Sequence, residues 1–264
     1  GGRRDGRDGR SEREHESQDR PEWSPEVWRE EATRPRVGGS AGARAAGARR
    51  VSGGPAPLPQ DVLDELRQAG GSRRARTLGR LLERAADAYR HDRFGEARRQ
   101  LEAIVGETPD SPAALELYGL TLYRLGRWRE AIRRLDRYHE LSGSVDQYPV
   151  VADCHRALGR PERVNATWEM LRRASPGAEV VSEGRLVLAG SLCDGGDLAG
   201  AIRLLEPHCR PLRHPAERHL RSWYALADLY ERSGDLARAR LYFGRVAAVD
   251  PELGGAEDRL VSLR

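Results

Sequence analysis

Between residues 208 and 219 the chain carries His208, Cys209, His214 and His219, the residue types that hold zinc through imidazole and thiolate. Their spacing speaks against a metal. His214 and His219 are five apart, whereas a helix stacks side chains three or four apart, and Pro211 and Pro215 interrupt the stretch. Cys154 and His155 are the types of a nucleophile and its base. Being adjacent, they point apart on a helix and do not form such a pair. No glycine-rich segment follows a strand pattern to cradle a phosphate, and no two carboxylates are spaced as a general acid and base. Neither catalysis nor a cofactor or metal is expected. The remaining chemistry is recognition by Arg and Tyr, which needs elements that repeat along a surface.

Such a repeat is present. Residues 223 to 251 read Trp223, then Leu226-Ala227, Tyr230, Gly234, Ala239, Phe243 and Pro251. Ala239 has counterparts at Ala97, Ala131, Val164 and Ala201, separated by 34, 33, 37 and 38 residues. Before each anchor stands a short step between two apolar runs of helical period: His91-Asp92-Arg93-Phe94, Gly126-Arg127-Trp128, Gly159-Arg160-Pro161, Gly196-Asp197-Leu198 and Gly234-Asp235-Leu236. Four of the five open with Gly, which suits the left-handed residue that ends a helix. A small anchor then lets the second helix (B) lie close to the first (A). The second unit shows the same skeleton in Leu115, Tyr118, Gly119, Leu122, Ala131, Leu135 and Tyr138.

This spacing resembles the tetratricopeptide repeat family over roughly residues 78–252. The resemblance implies an all-α, right-handed solenoid of five helix pairs, with repeats near 78–111, 112–144, 145–178, 182–216 and 220–253 and a C-terminal cap over 254–264. The stretch from Tyr148 to Arg163, following Gly126 to Ala131, also resembles small actinobacterial proteins of this family with Arg-, Gly- and Asp-rich N-terminal tails. That group has no assigned activity to carry over.

In the family the A helices line a concave groove. Template positions place Tyr89, Arg90, Glu116, Leu120, Tyr123, Arg124, Asp153, Arg156, Arg221, Tyr224, Asp228 and Arg232 there, expected to be exposed. Arg and Tyr are enriched where a few residues carry most of the binding energy. Some family members clamp a C-terminal carboxylate with Asn and Lys. This chain has no Lys and one Asn, Asn165, so that mode would need Arg124 and Arg156 in their place. The resemblance therefore implies a non-enzymatic adaptor that binds a protein or peptide segment in its groove.

The charge is uneven. All 45 basic residues are Arg, a bias that a GC-rich genome or selection for guanidinium forks would each produce. The whole net charge of +4 falls in residues 1–80, and the remainder is balanced. Residues 1–57 are rich in Gly, Arg, Asp, Glu and Ser, too polar to offset ordering entropy, and are expected to form a disordered tail. Within it, Ser24-Pro25-Glu26 reads as a helix start, with Trp23 and Trp28 placed to staple it. Residues 58–77 read as a capping helix, Leu58 to Leu66, ended by Gly70-Gly71 and followed by a basic linker. Arg73, Arg74, Arg76 and Arg80 are the densest basic cluster near the repeats. With the tail they form the alternative, an RNA- or ribosome-associated factor. Cys154, Cys193 and Cys209 are spaced for neither zinc nor a disulfide framework, and no apolar run is long enough to span a membrane. The chain begins Gly-Gly and its one Met is Met170, which leaves room for a removed upstream segment; a cytoplasmic protein is expected.

Overall fold

The computed structural model describes residues 58–263. The expected tail, with Trp23 and Trp28, lies outside the described residues. Those that are described form helices joined by short loops, with no strand among them. In chain order the α-helices are α1 (Gln60–Arg90), α2 (Phe94–Glu107), α3 (Pro112–Arg124), α4 (Trp128–Ser142), α5 (Tyr148–Ala157), α6 (Pro161–Ala174), α7 (Ala178–Asp194), α8 (Leu198–Leu205), α9 (Glu217–Arg232), α10 (Leu236–Ala247) and α11 (Ala256–Ser262). Each packs chiefly on its neighbours in sequence, which makes the fold an all-α solenoid.

The pairs turn where the glycines stand. Gly126, Gly159, Gly196 and Gly234 have φ of 73°, 64°, 85° and 82°, a left-handed conformation that a Cβ disfavours. The first pair lacks a Gly at this step, and Asp92 takes the conformation instead, at φ 57°. Asp tolerates this region better than most residues. All five anchors are fully buried where the B helix crosses the A helix.

The two helix types differ in burial. The B helix α4 buries one stripe, Trp128, Ala131, Leu135 and Tyr138. The A helix α3 is buried at every position from Ala113 to Tyr123, and α7 and α9 approach that state. A helices pack on A helices of adjacent pairs as well as on B helices. They are therefore an inner layer covered on almost every side, while the B helices form an outer layer. Close packing depends on glycine at α3: a Cβ on Gly119 would lie 2.5 Å from Leu135 Cδ2.

At the start of the chain, α1 contains a break. Gly71 has φ 72° and ψ 161°, which only glycine adopts readily. A Cβ on Gly79 would lie 3.5 Å from Leu63 and 3.6 Å from Leu58. Along a straight helix, residues 63 and 79 would stand ~24 Å apart. The segment before Gly71 therefore doubles back on the segment after it, burying Leu58, Val62 and Leu66. Its Glu65 accepts hydrogen bonds from the Ser111 hydroxyl and the Ala113 amide (3.2 Å), satisfying the start of α3. The basic stretch after Gly71, read as linker from the sequence, is helical and belongs to the first A helix.

The core divides at α5. Val150, Val151 and Cys154 pack with the N-terminal pairs, and Ala152 with the C-terminal ones. The fourth pair is irregular. Its B helix α8 has only 8 residues, continues as a 3-10 turn at Glu206–His208, and gives way to a loop before α9. Pro207, Pro211 and Pro215 prevent that stretch from continuing the helix.

Candidate binding face along the A helices

The expected groove residues sit together on the A helices, but most are not open to a ligand. Tyr89, Glu116, Leu120, Tyr123, Asp153, Arg156, Arg221 and Tyr224 are all buried. The template places these positions on a free face. Here the direct packing of each A helix on the next covers them, and several of their polar groups bond to neighbouring helices.

The clearest case is a ladder across three A helices. The Tyr123 hydroxyl on α3 donates to Asp153 Oδ2 on α5 at 2.6 Å. Arg156, one turn further along α5, donates from Nη1 to Asp153 Oδ1 at 3.0 Å and from Nε to Asp194 Oδ2 on α7 at 2.6 Å. The Arg156 side chain is 1% exposed. A guanidinium so buried is tolerable because carboxylates hold it from two sides. The Tyr123 ring lies edge-on to Trp128, with centroids 5.3 Å apart.

Other A helices are tied in the same way. Gln147 donates to Glu116 at 2.9 Å, and both side chains are buried. Arg221 on α9 lies 2.9 Å from Glu183 on α7, a second buried ion pair. The Tyr224 hydroxyl donates to the Gly254 carbonyl at 2.9 Å, and the Tyr89 ring lies edge-on to Phe94. Asp228 accepts from Arg259 on the C-terminal helix α11 at 2.9 Å, and the same guanidinium donates to Glu231 at 2.6 Å. Arg259 thus fastens α11 to the end of the solenoid, and these two carboxylates raise its pKa against the opposing effect of burial.

Of the expected groove residues, those that reach solvent are Arg90, Arg124, Asp228 and Arg232, and the three Arg stand in the last turns of their helices. Arg90 donates to Asp87 at 3.2 Å and remains exposed. Arg124 is partly exposed, bonds Asp92 at 3.2 Å and covers the Phe94 ring at 4.5 Å. Arg232, exposed, occupies the last turn of α9. A cation at a helix C-terminus complements the dipole, which explains part of this placement.

The basic cluster lies on the first A helix. Arg74 is spent on Glu107, with Nε donating at 2.6 Å. Arg73, Arg76 and Arg80 are exposed and have no acidic partner among the described residues. Arg84 continues the line. The spacing of 3, 4 and 4 residues keeps these four on one side of the helix, a stripe the sequence reading did not include as such.

The thiols are structural. Cys154, Cys193 and Cys209 are buried and unpaired with each other. Burial pushes Cys154 well above the usual thiol range and Cys209 up to about 12, so neither offers a thiolate near neutrality. Cys154 is therefore no nucleophile for His155, whose own pKa is lowered by burial and by Arg160 and Arg163. Among the described residues no three His, Cys, Asp or Glu side chains gather to hold a metal ion, and no helix is long and apolar enough to cross a membrane.

Stacked helix pairs with an inner layer of A helices define a helical-repeat protein. Residues 82–145, from the end of the first A helix through the second pair, match a tetratricopeptide repeat family profile. No curated protein matches the sequence significantly. Tetratricopeptide repeats generally mediate protein–protein interactions.

Proposed function

We propose that the protein is a non-enzymatic interaction scaffold that takes a peptide or helix segment of acidic character along its A-helix face. One observation carries this reading. The buried polar ladder locks neighbouring A helices together, while Arg90, Arg124 and Arg232 end three of those helices at the surface. A face held rigid before binding loses little conformational entropy when it binds. Guanidinium groups at its edge suit carboxylates, which they grip with two parallel hydrogen bonds. In this reading Tyr89, Tyr123, Asp153, Arg156, Arg221, Tyr224 and Asp228 shape and stiffen the face, and Arg90, Arg124 and Arg232 meet the ligand.

A displayed random-peptide library panned on the full chain tests it. Enrichment of an acidic consensus, with affinity at least about tenfold weaker for a variant combining Arg124→Ala and Arg232→Ala, supports the face as the site. Enrichment of peptides whose affinity ignores that variant contradicts it.

A second reading, association with RNA, rests on the stripe Arg73, Arg76, Arg80 and Arg84. Exposed guanidiniums along one side of a helix match a phosphate backbone, and such binding weakens steeply with salt. Binding to a single-stranded RNA that vanishes between low and moderate salt, and in an Arg73→Ala, Arg76→Ala, Arg80→Ala variant, would favour this reading. The acidic peptide, held by Arg90, Arg124 and Arg232, would also weaken with salt but would be unaffected by the Arg73→Ala, Arg76→Ala, Arg80→Ala variant.

A further inference from the structure

The irregular fourth pair opens a cleft on a different part of the molecule. It lies between the start of α7, the 3-10 turn at Glu206–His208 and the start of α9, and encloses about 410 Å³. That volume is in the range of small-molecule sites. Its polar wall is Arg185, Arg218, His208, His219, Ser182 and Ser222, and no Asp or Glu lines it.

Arg185 is the informative residue. It is half-buried, its guanidinium lies 5.7 Å from the Trp168 ring centroid, and it has no carboxylate partner among the described residues. Burial without an acid depresses its pKa, the reverse of Arg259. The two fully buried guanidiniums, Arg156 and Arg221, are matched by carboxylates, while Arg134 and Arg245, partly buried like Arg185, cover the Tyr118 and Tyr242 rings at 5.2 Å and 4.6 Å; what sets Arg185 apart is that it lines a cleft. Arg218 is held at the rim by Glu179, an exposed acid outside the lining.

Of the other groups, His219 is arranged as a donor. His219 Nδ1 accepts the Ala216 amide at 2.9 Å, so the neutral ring carries its proton on Nε2 and presents a donor there. Burial and a neighbouring guanidinium lower the pKa of each imidazole: Arg185 acts on His208 and Arg218 on His219. The two hydroxyls are engaged with each other. Ser222 donates to the Arg218 carbonyl at 2.8 Å, which leaves Ser182 to donate across the 3.2 Å gap to Ser222. No side chain caps the start of α7, and at the start of α9 His219 engages only the N-cap amide of Ala216, so no acid caps the positive end of either helix.

We propose that this cleft binds the phosphate group of a small phosphorylated ligand, with Arg185 and Arg218 as the forks and His219 as a further donor. Two guanidiniums, one of them paired at the rim with Glu179, and an imidazole N–H around a lining that itself holds no acid suit a dianion with three terminal oxygens better than a carboxylate with two. The ligand would supply to Arg185 the negative charge that Asp153 and Asp194 supply to Arg156. The site is separate from the A-helix face and does not depend on that face binding a peptide.

Inorganic phosphate is the probe. Titrated into the full chain at constant ionic strength, it is expected to bind saturably in the millimolar range and to shift the imidazole NMR signals of His208 and His219 while leaving His91 in place. Acetate at the same concentration is expected to do neither. Arg185→Gln and, separately, Arg218→Gln should weaken phosphate binding at least about tenfold, and Arg73→Gln should leave it unchanged. Absence of saturation, equal shifts with acetate, or binding retained in both cleft variants would overturn the proposal. The imidazole shifts in the unaltered chain decide it even if a variant melts early.

Discussion

Arg156 and Arg185 stand on neighbouring A helices and are solvated in opposite ways. Arg156 has lost almost all its water, and Asp153 and Asp194 replace it. Arg185 has lost part of its water and received only the face of an indole. The first arrangement is complete within the chain, so its role is to hold three helices in register. The second is incomplete, and an external anion would complete it. The contrast separates polar residues that build the solenoid from those left to recognise something. A list of Arg and Tyr positions on A helices does not make that distinction.

The largest expected effect is at the closed ladder. Asp153→Ala removes an acid from a buried guanidinium and the acceptor from the Tyr123 hydroxyl, and should destabilise the fold by about 3–5 kcal/mol in urea unfolding. A loss too small to measure would mean that water replaces Asp153 and that the ladder is not closed. Tyr123→Phe takes only the hydroxyl and should lose about 2 kcal/mol, the range for a hydrogen bond to a charged group. Gly119→Ala tests the same layer by packing. Its methyl would meet the Leu135 side chain, and an overpacking loss of about 1–3 kcal/mol is expected in the same assay. An unchanged midpoint would show that Leu135 has room to turn aside.

Acidification should act on both regions modestly and in one direction. His155, His208 and His219 have folded pKa values below the ordinary imidazole value, chiefly through burial. The unfolded chain therefore takes up protons near pH 6.5 while the folded chain stays neutral at these rings. Their contribution is fully present above that pH and drains as pH falls from about 6.5 towards the folded values. A melting temperature that declines from pH 7.5 to 5.5 is the expected record; one that rises would reverse the sign assigned to these groups. Saturating phosphate should reduce the decline, because it favours the charged rings of His208 and His219 in the folded state. The smallest effect belongs to the exposed pair Arg74 and Glu107, where Arg74→Ala should leave the melting temperature unchanged within error.

Much of the architecture was legible because it is local. The steps at Gly126, Gly159, Gly196 and Gly234 each need one left-handed residue, and the anchors five residues on need a small side chain; both demands are written within a few positions. Asp92 shows the same step made without glycine, where spacing rather than residue type was the guide. The burial of the A-helix face was not legible. Tyr123 meets Asp153 across 30 residues and Arg156 meets Asp194 across 38, so helical periodicity within one segment carries no trace of either contact. Template positions gave the right helix and the wrong exposure. The cleft was half visible. His208 and His219 stood out as metal-binding types, but the neighbours that change their meaning, Arg185 on α7 and Arg218 beside His219 on α9, attracted no notice. The doubling back at Gly71 was signalled by the Gly70-Gly71 pair, whereas the helix that resumes directly after it was not.

The most direct test of this account is to compare Arg156→Gln with Arg185→Gln in urea unfolding of the full chain, without added phosphate. Removing Arg156 leaves the buried Asp153 without its cation and near the more exposed Asp194, and a loss of about 3–5 kcal/mol is expected. Removing Arg185 takes away a charge that no acid among the described residues matches, so its midpoint should hold or rise. Equal losses at the two positions would contradict the account, because Arg185 would then be as fully paired within the fold as Arg156.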